Sequence, residues 1–282
     1  MTLAPAATQR LVVPKGVEAF ADATTAQRYE IKFWATEEQA SAMLRIASQH
    51  MSVDPFCKNG PQRNISLYLD SPLRTFFAQH VAHMPMRCKL RVRTYDDPNS
   101  PAFIEVKRRV KSVTMKHRVV ASRAIGRELA AGRLEAAAAL PPSRDLMEFL
   151  YLHQRHMAEP VLLVAARRLA LRSVGDDGQF RLTLDRDVEY QRPSGSDLQG
   201  RPDGWTPVDL TVRSGNEVLR SLFEMKFANA APAWLAPAIE MLGLRLTSFS
   251  KYVAAMSQDA ADYDGWNPMR GREDEQEGDD EF

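Results

Sequence analysis

The sequence predicts an α+β fold: a closed antiparallel β tunnel barrel with a polar, basic lumen, covered on its outside by helices. Three observations carry this expectation. About nine segments alternate apolar and polar residues with the two-residue period of a strand. At least five of them place Lys and Arg on one pleat face. The opposite faces are apolar, and stretches of helical period are available to cover them, the reverse of a small filled barrel.

The elements follow in chain order. Arg28–Trp34 is the first strand and Glu37–His50 a helix. Asn64–Asp70 alternates Ile65, Leu67 and Leu69 with Ser66, Tyr68 and Asp70, and a helix spans Leu73–His83. Met86–Tyr95 sets Cys88, Leu90 and Val92 against Lys89, Arg91 and Arg93. Ala102–Arg109 puts Phe103, Glu105, Lys107 and Arg109 on one face, and Met115–Ala121 does so with Lys116 and Arg118. Helical stretches occupy part of 126–157. Val161–Arg172 begins apolar and then carries Arg168 and Arg172 on one side. Phe180–Arg186 sets Phe180, Leu182 and Leu184 against Arg181, Thr183 and Asp185. Val208–Arg213 and Glu217–Phe227 flank Ser214-Gly215-Asn216, a hairpin signal, and Trp234–Met241 is a last helix.

The helical middle separates two strand-rich halves, neither with a complete sheet, so one closed sheet is expected over 27–258. Residues 1–26 read as a flexible N-terminus and 259–282 as an acidic, disordered tail. The last thirteen residues hold seven acids and two arginines; the remainder has 35 basic against 29 acidic residues. That excess is too small for a general nucleic-acid binder, and no aromatic stacking face accompanies the basic rows, so no nucleic acid is expected as partner. Cys57 and Cys88 cannot build a disulfide framework. With no signal peptide evident and no apolar run long enough to span a bilayer, a cytoplasmic location is expected.

A polar strand face ordinarily meets solvent and mixes charge signs. Here the faces are mostly of one sign. Like charges on neighbouring strands destabilise an empty sheet, and make sense if a polyanion fills the space between them. Arg suits phosphate because its planar fork binds two oxygens at once. Acids are sparse in these rows. Glu224 is the leading candidate to hold a divalent cation, with Glu105 and Glu30 next; an ion pair with a neighbouring Arg is the competing reading for each. His80/His83 and His153/His156 are spaced to share helix faces, but lack the carboxylate pattern of a metal motif.

Six motifs in order resemble the catalytic domain of the vacuolar transporter chaperone (VTC) polyphosphate polymerases, members of the triphosphate tunnel metalloenzymes. They are Tyr29-Glu-Ile-Lys-Phe-Trp34, Lys89-Leu-Arg-Val-Arg-Thr-Tyr95, Phe103-Ile-Glu-Val-Lys107, Arg181-Leu-Thr-Leu-Asp-Arg-Asp187, Phe223-Glu-Met-Lys-Phe227 and Ser248-Phe-Ser-Lys-Tyr252. The resemblance implies a tunnel that takes ATP with Mn²⁺ or Mg²⁺ and adds the γ-phosphate to polyphosphate. It implies phosphate contacts from Lys32, Arg91, Arg93, Lys107, Lys116, Arg168, Arg181 and Lys251. Glu224 would hold the metal, with Lys226 beside it. Lys89 and Arg118 join the phosphate-binding set from their basic rows. Three positions depart from the family pattern: His80, Ala166 and Ser248 stand where relatives carry a basic residue, a tyrosine and a lysine. The expected activity is an ATP-dependent polyphosphate polymerase. The alternatives are a tripolyphosphate or nucleoside-triphosphate hydrolase, and a non-catalytic module binding polyphosphate or inositol phosphates. Eukaryotic relatives work inside membrane complexes, which implies a membrane-protein partner.

Overall fold

The structure is a computed structural model; it describes residues 20–22, 25–111, 113–174, 180–209, 212–214, 217–227 and 230–261. The first half contains β1 (Phe20–Asp22), β2 (Thr25–Ala35), α1 (Glu37–Ala47), β3 (Met51–Val53), β4 (Gln62–Asp70), α2 (Thr75–Val81), β5 (Met86–Tyr95), β6 (Ala102–Val110) and β7 (Val113–Ala121). Two helices follow, α3 (Arg123–Ala130) and α4 (Arg144–Arg155). The second half contains β8 (Glu159–Ser173), β9 (Arg181–Gln191), β10 (Thr206–Pro207), β11 (Val212–Ser214), β12 (Glu217–Leu219), β13 (Ser221–Phe227), α5 (Leu235–Met241), β14 (Arg245–Leu246) and α6 (Lys251–Ala261). Among the described residues no helix is long and apolar enough to cross a membrane.

Local chemistry accounts for the helix starts. Thr36 Oγ1 accepts from the Gln39 amide and Gln39 Oε1 accepts from the Thr36 amide, a reciprocal cap on α1. Ser122 and Ser143 cap α3 and α4 in the simpler way, each accepting an amide three residues on. Within the 126–157 region expected to be partly helical, the Ala-rich part is not one α-helix: α3 stops at Ala130 and Leu134–Ala139 form a 3₁₀ helix. Gly132, at φ +83°, lies in the turn between them.

One large antiparallel sheet runs in the order β1-β2-β13-β9-β8-β4-β5-β6-β7, with β10, β14 and β3 paired to β9, β2 and β8. Closure differs from the expectation. Among the described residues no strand ladder joins β7 back to β1. The two ends nevertheless approach each other, with Cα atoms of β1 and β7 within 8 Å. The sheet is therefore strongly curled, and its described residues form no hydrogen-bonded seam. The long strand expected over Glu217–Phe227 is broken at Arg220: β12 pairs only with β11, and β13 enters the main sheet between β2 and β9. The turn predicted between β11 and β12 lies in part outside the described residues. Of the tail expected over 259–282, residues 262–282 lie outside the described residues, and α6 occupies 259–261. β1 and the start of β2 fall in the stretch expected to be flexible.

The outer face of the sheet is covered as expected. Leu90, Val92, Ile104 and Val106 are buried with Leu129 of α3 and with Phe149 and Leu152 of α4. Leu182 and Leu184 are buried with Ala40 and Met43 of α1 and Leu235 of α5. A third cluster lies on the opposite, concave face. There α6 places Tyr252, Ala255 and Met256 among Trp34, Tyr68, Leu162, Ala166 and Leu222. One end of the concave face is thus apolar and filled by a helix absent from the sequence-based expectation.

Candidate functional site

The concave face gathers the predicted cations from strands distant in the ladder. Alternation aims each of them inward: Glu30 and Lys32 on β2, Lys89, Arg91 and Arg93 on β5, Glu105 and Lys107 on β6, Lys116 and Arg118 on β7, Arg168 on β8, Arg181 on β9, Glu224 and Lys226 on β13. Their ion pairs form three groups, each centred on carboxylate.

The first group centres on Glu105, which is 2% exposed. Its Oε2 accepts from Arg91 at 2.8 Å, and its Oε1 accepts from Arg93 at 2.9 Å and Arg118 at 2.7 Å. Lys116 Nζ lies 3.3 Å from the same Oε1. Burial would raise the carboxyl's pKa, but Arg91, Arg93, Lys116 and Arg118 outweigh it and hold it far below the usual range. Both oxygens are engaged by cations. The ion-pair reading of Glu105 is the one its geometry fits, and a metal would have to displace guanidinium groups. Lys116 pays for this crowding: burial and the nearby Arg118, Arg91 and Lys226 push its pKa down to about 7, although Glu105 opposes them.

The second group holds Glu30 and Glu224. Their strands are adjacent, with Lys32 opposite Glu224 and Lys226 opposite Glu30. Lys226 Nζ lies 2.8 Å from Glu224 and 3.6 Å from Glu30, bridging the two carboxylates. Lys32 and Lys107 approach Glu30 at 3.3 and 3.5 Å, and Arg168 approaches Glu224 at 3.6 Å. Burial and the neighbouring Glu224 raise the Glu30 pKa, yet Lys107, Lys226 and Lys32 prevail and bring it to about 2. Glu224 is likewise held well below the usual range by Lys226, Lys32 and Arg168, against burial. Two ionised carboxylates side by side are a hard oxygen donor set, suited to Mn²⁺ or Mg²⁺ when a ligand completes the shell. Among the described residues no group of three or more His, Cys, Asp or Glu converges anywhere, so Glu30 and Glu224 stand as a pair of carboxylates. His153 and His156 instead lie against Phe149 and Phe76, and burial with Lys89 nearby lowers the His80 pKa to about 3.

The third group was not foreseen. Asp185 on β9 is fully buried, and its two oxygens take Arg168 in a bidentate pair at 2.6 and 2.7 Å. Lys251, the first residue of α6, bonds to the same carboxylate. Asp185 therefore ties α6 to the concave wall and orients two of the predicted phosphate-binding cations. It is the acid in the Arg181, Thr183, Asp185 row, so the alternation that marked Arg181 also marked it. Arg181 itself lies apart, 3.3 Å from Asp54, with its side chain 47% exposed.

The chain preceding α6 completes the lining. Lys32 Nζ donates to the Phe249 carbonyl at 3.2 Å and Lys89 Nζ to Ser250 Oγ at 2.7 Å. Burial and the nearby Lys107, Lys32 and Arg91 push the Lys89 pKa well down. Tyr68 was missed as well: its hydroxyl accepts from Arg91 at 3.2 Å, and its ring stacks on Tyr252 with centroids 4.5 Å apart. Tyr252 in turn donates to Asp70 at 2.7 Å. Ala166 is buried beneath α6.

Several solved structures resemble the chain. Two proteins described as "putative adenylate cyclase" are among them. One, from Vibrio parahaemolyticus, has 14% identity and a TM-score of 0.41, covering 81% of this chain and 97% of its own. The other, from Bacillus halodurans, has 12% identity and a TM-score of 0.46, covering 78% and 92%. The PH1819 protein of Pyrococcus horikoshii has 13% identity and a TM-score of 0.39, covering 82% and 99%. Comparison with curated proteins finds no match. The family comparison is decisive: the VTC domain matches residues 27–258, which hold all of the curled sheet except β1 and the start of β2, and the chain belongs to the VTC domain family.

Proposed function

We propose that the chain is an ATP-dependent polyphosphate polymerase acting in a triphosphate tunnel formed by the curled sheet. The supporting observation is the pairing of Glu30 and Glu224 inside a ring of Lys32, Lys107, Lys226 and Arg168. A purely structural ion-pair network would match charges one to one. This concave face carries more cations than acids, which suits a polyanionic substrate.

Glu30 and Glu224 would hold Mn²⁺ or Mg²⁺, which when bound neutralises charge on the phosphate oxygens. Lys32, Lys107 and Lys226 would exchange their carboxylate partners for phosphate oxygens. Arg91, Arg93 and Arg118 are held in place by Glu105 and need little reorganisation to bind phosphate. Lys89, Lys116, Arg168, Arg181 and Lys251 extend the path. In the transfer, a terminal phosphate oxygen of the chain attacks the γ-phosphorus of ATP. The bond from that phosphorus to the bridging β-phosphate oxygen breaks, and ADP leaves with the electron pair. The side chains act by positioning and charge, and no covalent enzyme intermediate is required.

The test is incubation of purified protein with ATP and Mn²⁺, followed by resolution of chain lengths on a stained gel. Polyphosphate and stoichiometric ADP are expected. Binding of ATP without any polyphosphate would sink the proposal. In that case free phosphate release would identify a hydrolase, and tight anion binding with no ADP a binding module.

A further inference from the structure

Two donors buried in the concave wall have no acceptor. Among the described residues Asn64 Nδ2 and Arg93 Nε find no hydrogen-bond partner, and the two residues are 9% and 7% exposed. Asn64 sits opposite Tyr95 on the β4–β5 ladder and Ser66 opposite Arg93, so Asn64 and Arg93 are diagonal neighbours on one face. Buried donors are nearly always satisfied by protein, water or ligand. Arg93 cannot readily turn away to find a partner. Its Nη2 donates to Glu105 at 2.9 Å, and its guanidinium lies over Tyr95 and Phe103, 5.7 and 5.6 Å from the ring centres.

The surroundings select what could fill the gap. On the other side of β4, Asn64 faces Ala166, whose methyl group offers no acceptor. The carboxylate bound to Arg93, Glu105, is already occupied by further cations. Arg91 and Arg118 share Glu105 with Arg93, so a phosphate chain held by those arginines would run next to Arg93 and its diagonal neighbour Asn64.

We propose that Asn64 and Arg93 form an additional phosphate subsite, taking an interior phosphate of polyphosphate beyond those bound around Glu30 and Glu224. This rests on the polyphosphate reading above. The non-bridging oxygens of an interior phosphate are acceptors only, matching two unpartnered donors that are diagonal neighbours on one face. Asn64 is then a residue that senses chain length, since a short triphosphate at the carboxylate pair leaves it untouched.

The test is calorimetric titration of the full chain with tripolyphosphate and with long-chain polyphosphate, in the absence of turnover. Asn64→Ala should weaken the long chain about tenfold and leave tripolyphosphate within about twofold. Equal weakening of both ligands, or no change in either, overturns the subsite; the second result is what an ordered water at that position would give. Asn64→Asp serves as the second variant, because it keeps the size and replaces the amide donor by an anion. It should show the same selective loss, and fails the proposal if it does not. A protein that binds both ligands but synthesises nothing would sink the polymerase proposal while leaving this result readable.

Discussion

Glu30 on β2 and Lys107 on β6 meet at 3.5 Å, although β13, β9, β8, β4 and β5 separate their strands in the ladder. Only a sheet curled upon itself brings them together. A double-mutant cycle with Glu30→Gln and Lys107→Met should give a coupling of about 0.5–1 kcal/mol, modest because Lys107 is half exposed. Chemical denaturation measures it. Zero coupling would mean that the two strands do not face each other in solution.

Glu105 has the opposite character, since it is buried and shared by four cations. Removing it leaves Arg91, Arg93, Arg118 and Lys116 uncompensated. Glu105→Gln should therefore cost about 3 kcal/mol of stability. Added tripolyphosphate should restore part of the loss, because it supplies the missing negative charge. Thermal unfolding with and without the anion tests this; a variant as stable as the parent protein would refute it.

Glu224→Ala should abolish Mn²⁺-dependent polyphosphate synthesis while preserving polyphosphate affinity. The lysines it leaves behind still favour an anion, and the lost carboxylate was a source of repulsion toward phosphate. Turnover equal to that of the parent would remove Glu224 from the metal role.

Binding should take up protons near neutral pH. Lys116, lowered to about 7 by burial and by Arg118, Arg91 and Lys226, is partly deprotonated in the free protein. A bound phosphate raises its pKa. Above about pH 7 each binding event must then protonate it, so affinity falls as pH rises. Calorimetry in buffers of different ionisation enthalpy should report proton uptake at pH 8, reduced in Lys116→Met. Identical uptake in both proteins would exclude Lys116 as the source.

Asp185→Asn should loosen α6. The substitution removes the charge that Lys251 and Arg168 share, leaving two buried cations with a neutral partner. Amide exchange across Lys251–Ala261 should speed up by at least about tenfold, while β5 and β6 remain protected. Uniform exchange rates across both regions would show that the pair does not anchor the helix.

Much of this architecture was legible by alternation. The two-residue period separated Leu90 and Val92 from Lys89, Arg91 and Arg93 before any coordinates, and the helices needed to cover the apolar rows carried their own period. Helix α6 was not legible, because it is apolar over Tyr252, Val253, Ala254, Ala255 and Met256 and borders a stretch dominated by acids. Nor was the break at Arg220, where continuous β-forming residues conceal a change of partner strand.

The sequence by itself determined which residues share a face, since that depends only on the pleat of each strand. It thereby determined the basic character of the concave wall and its outer helical cover. Tertiary structure alone decided which charges meet. Glu30 beside Glu224, Glu105 among four cations and Asp185 between Arg168 and Lys251 depend on strand order, register and curl, which local periodicity does not encode. Those choices separate the adjacent carboxylates Glu30 and Glu224, which we propose hold a metal, from Glu105 and Asp185, which hold arginines in place.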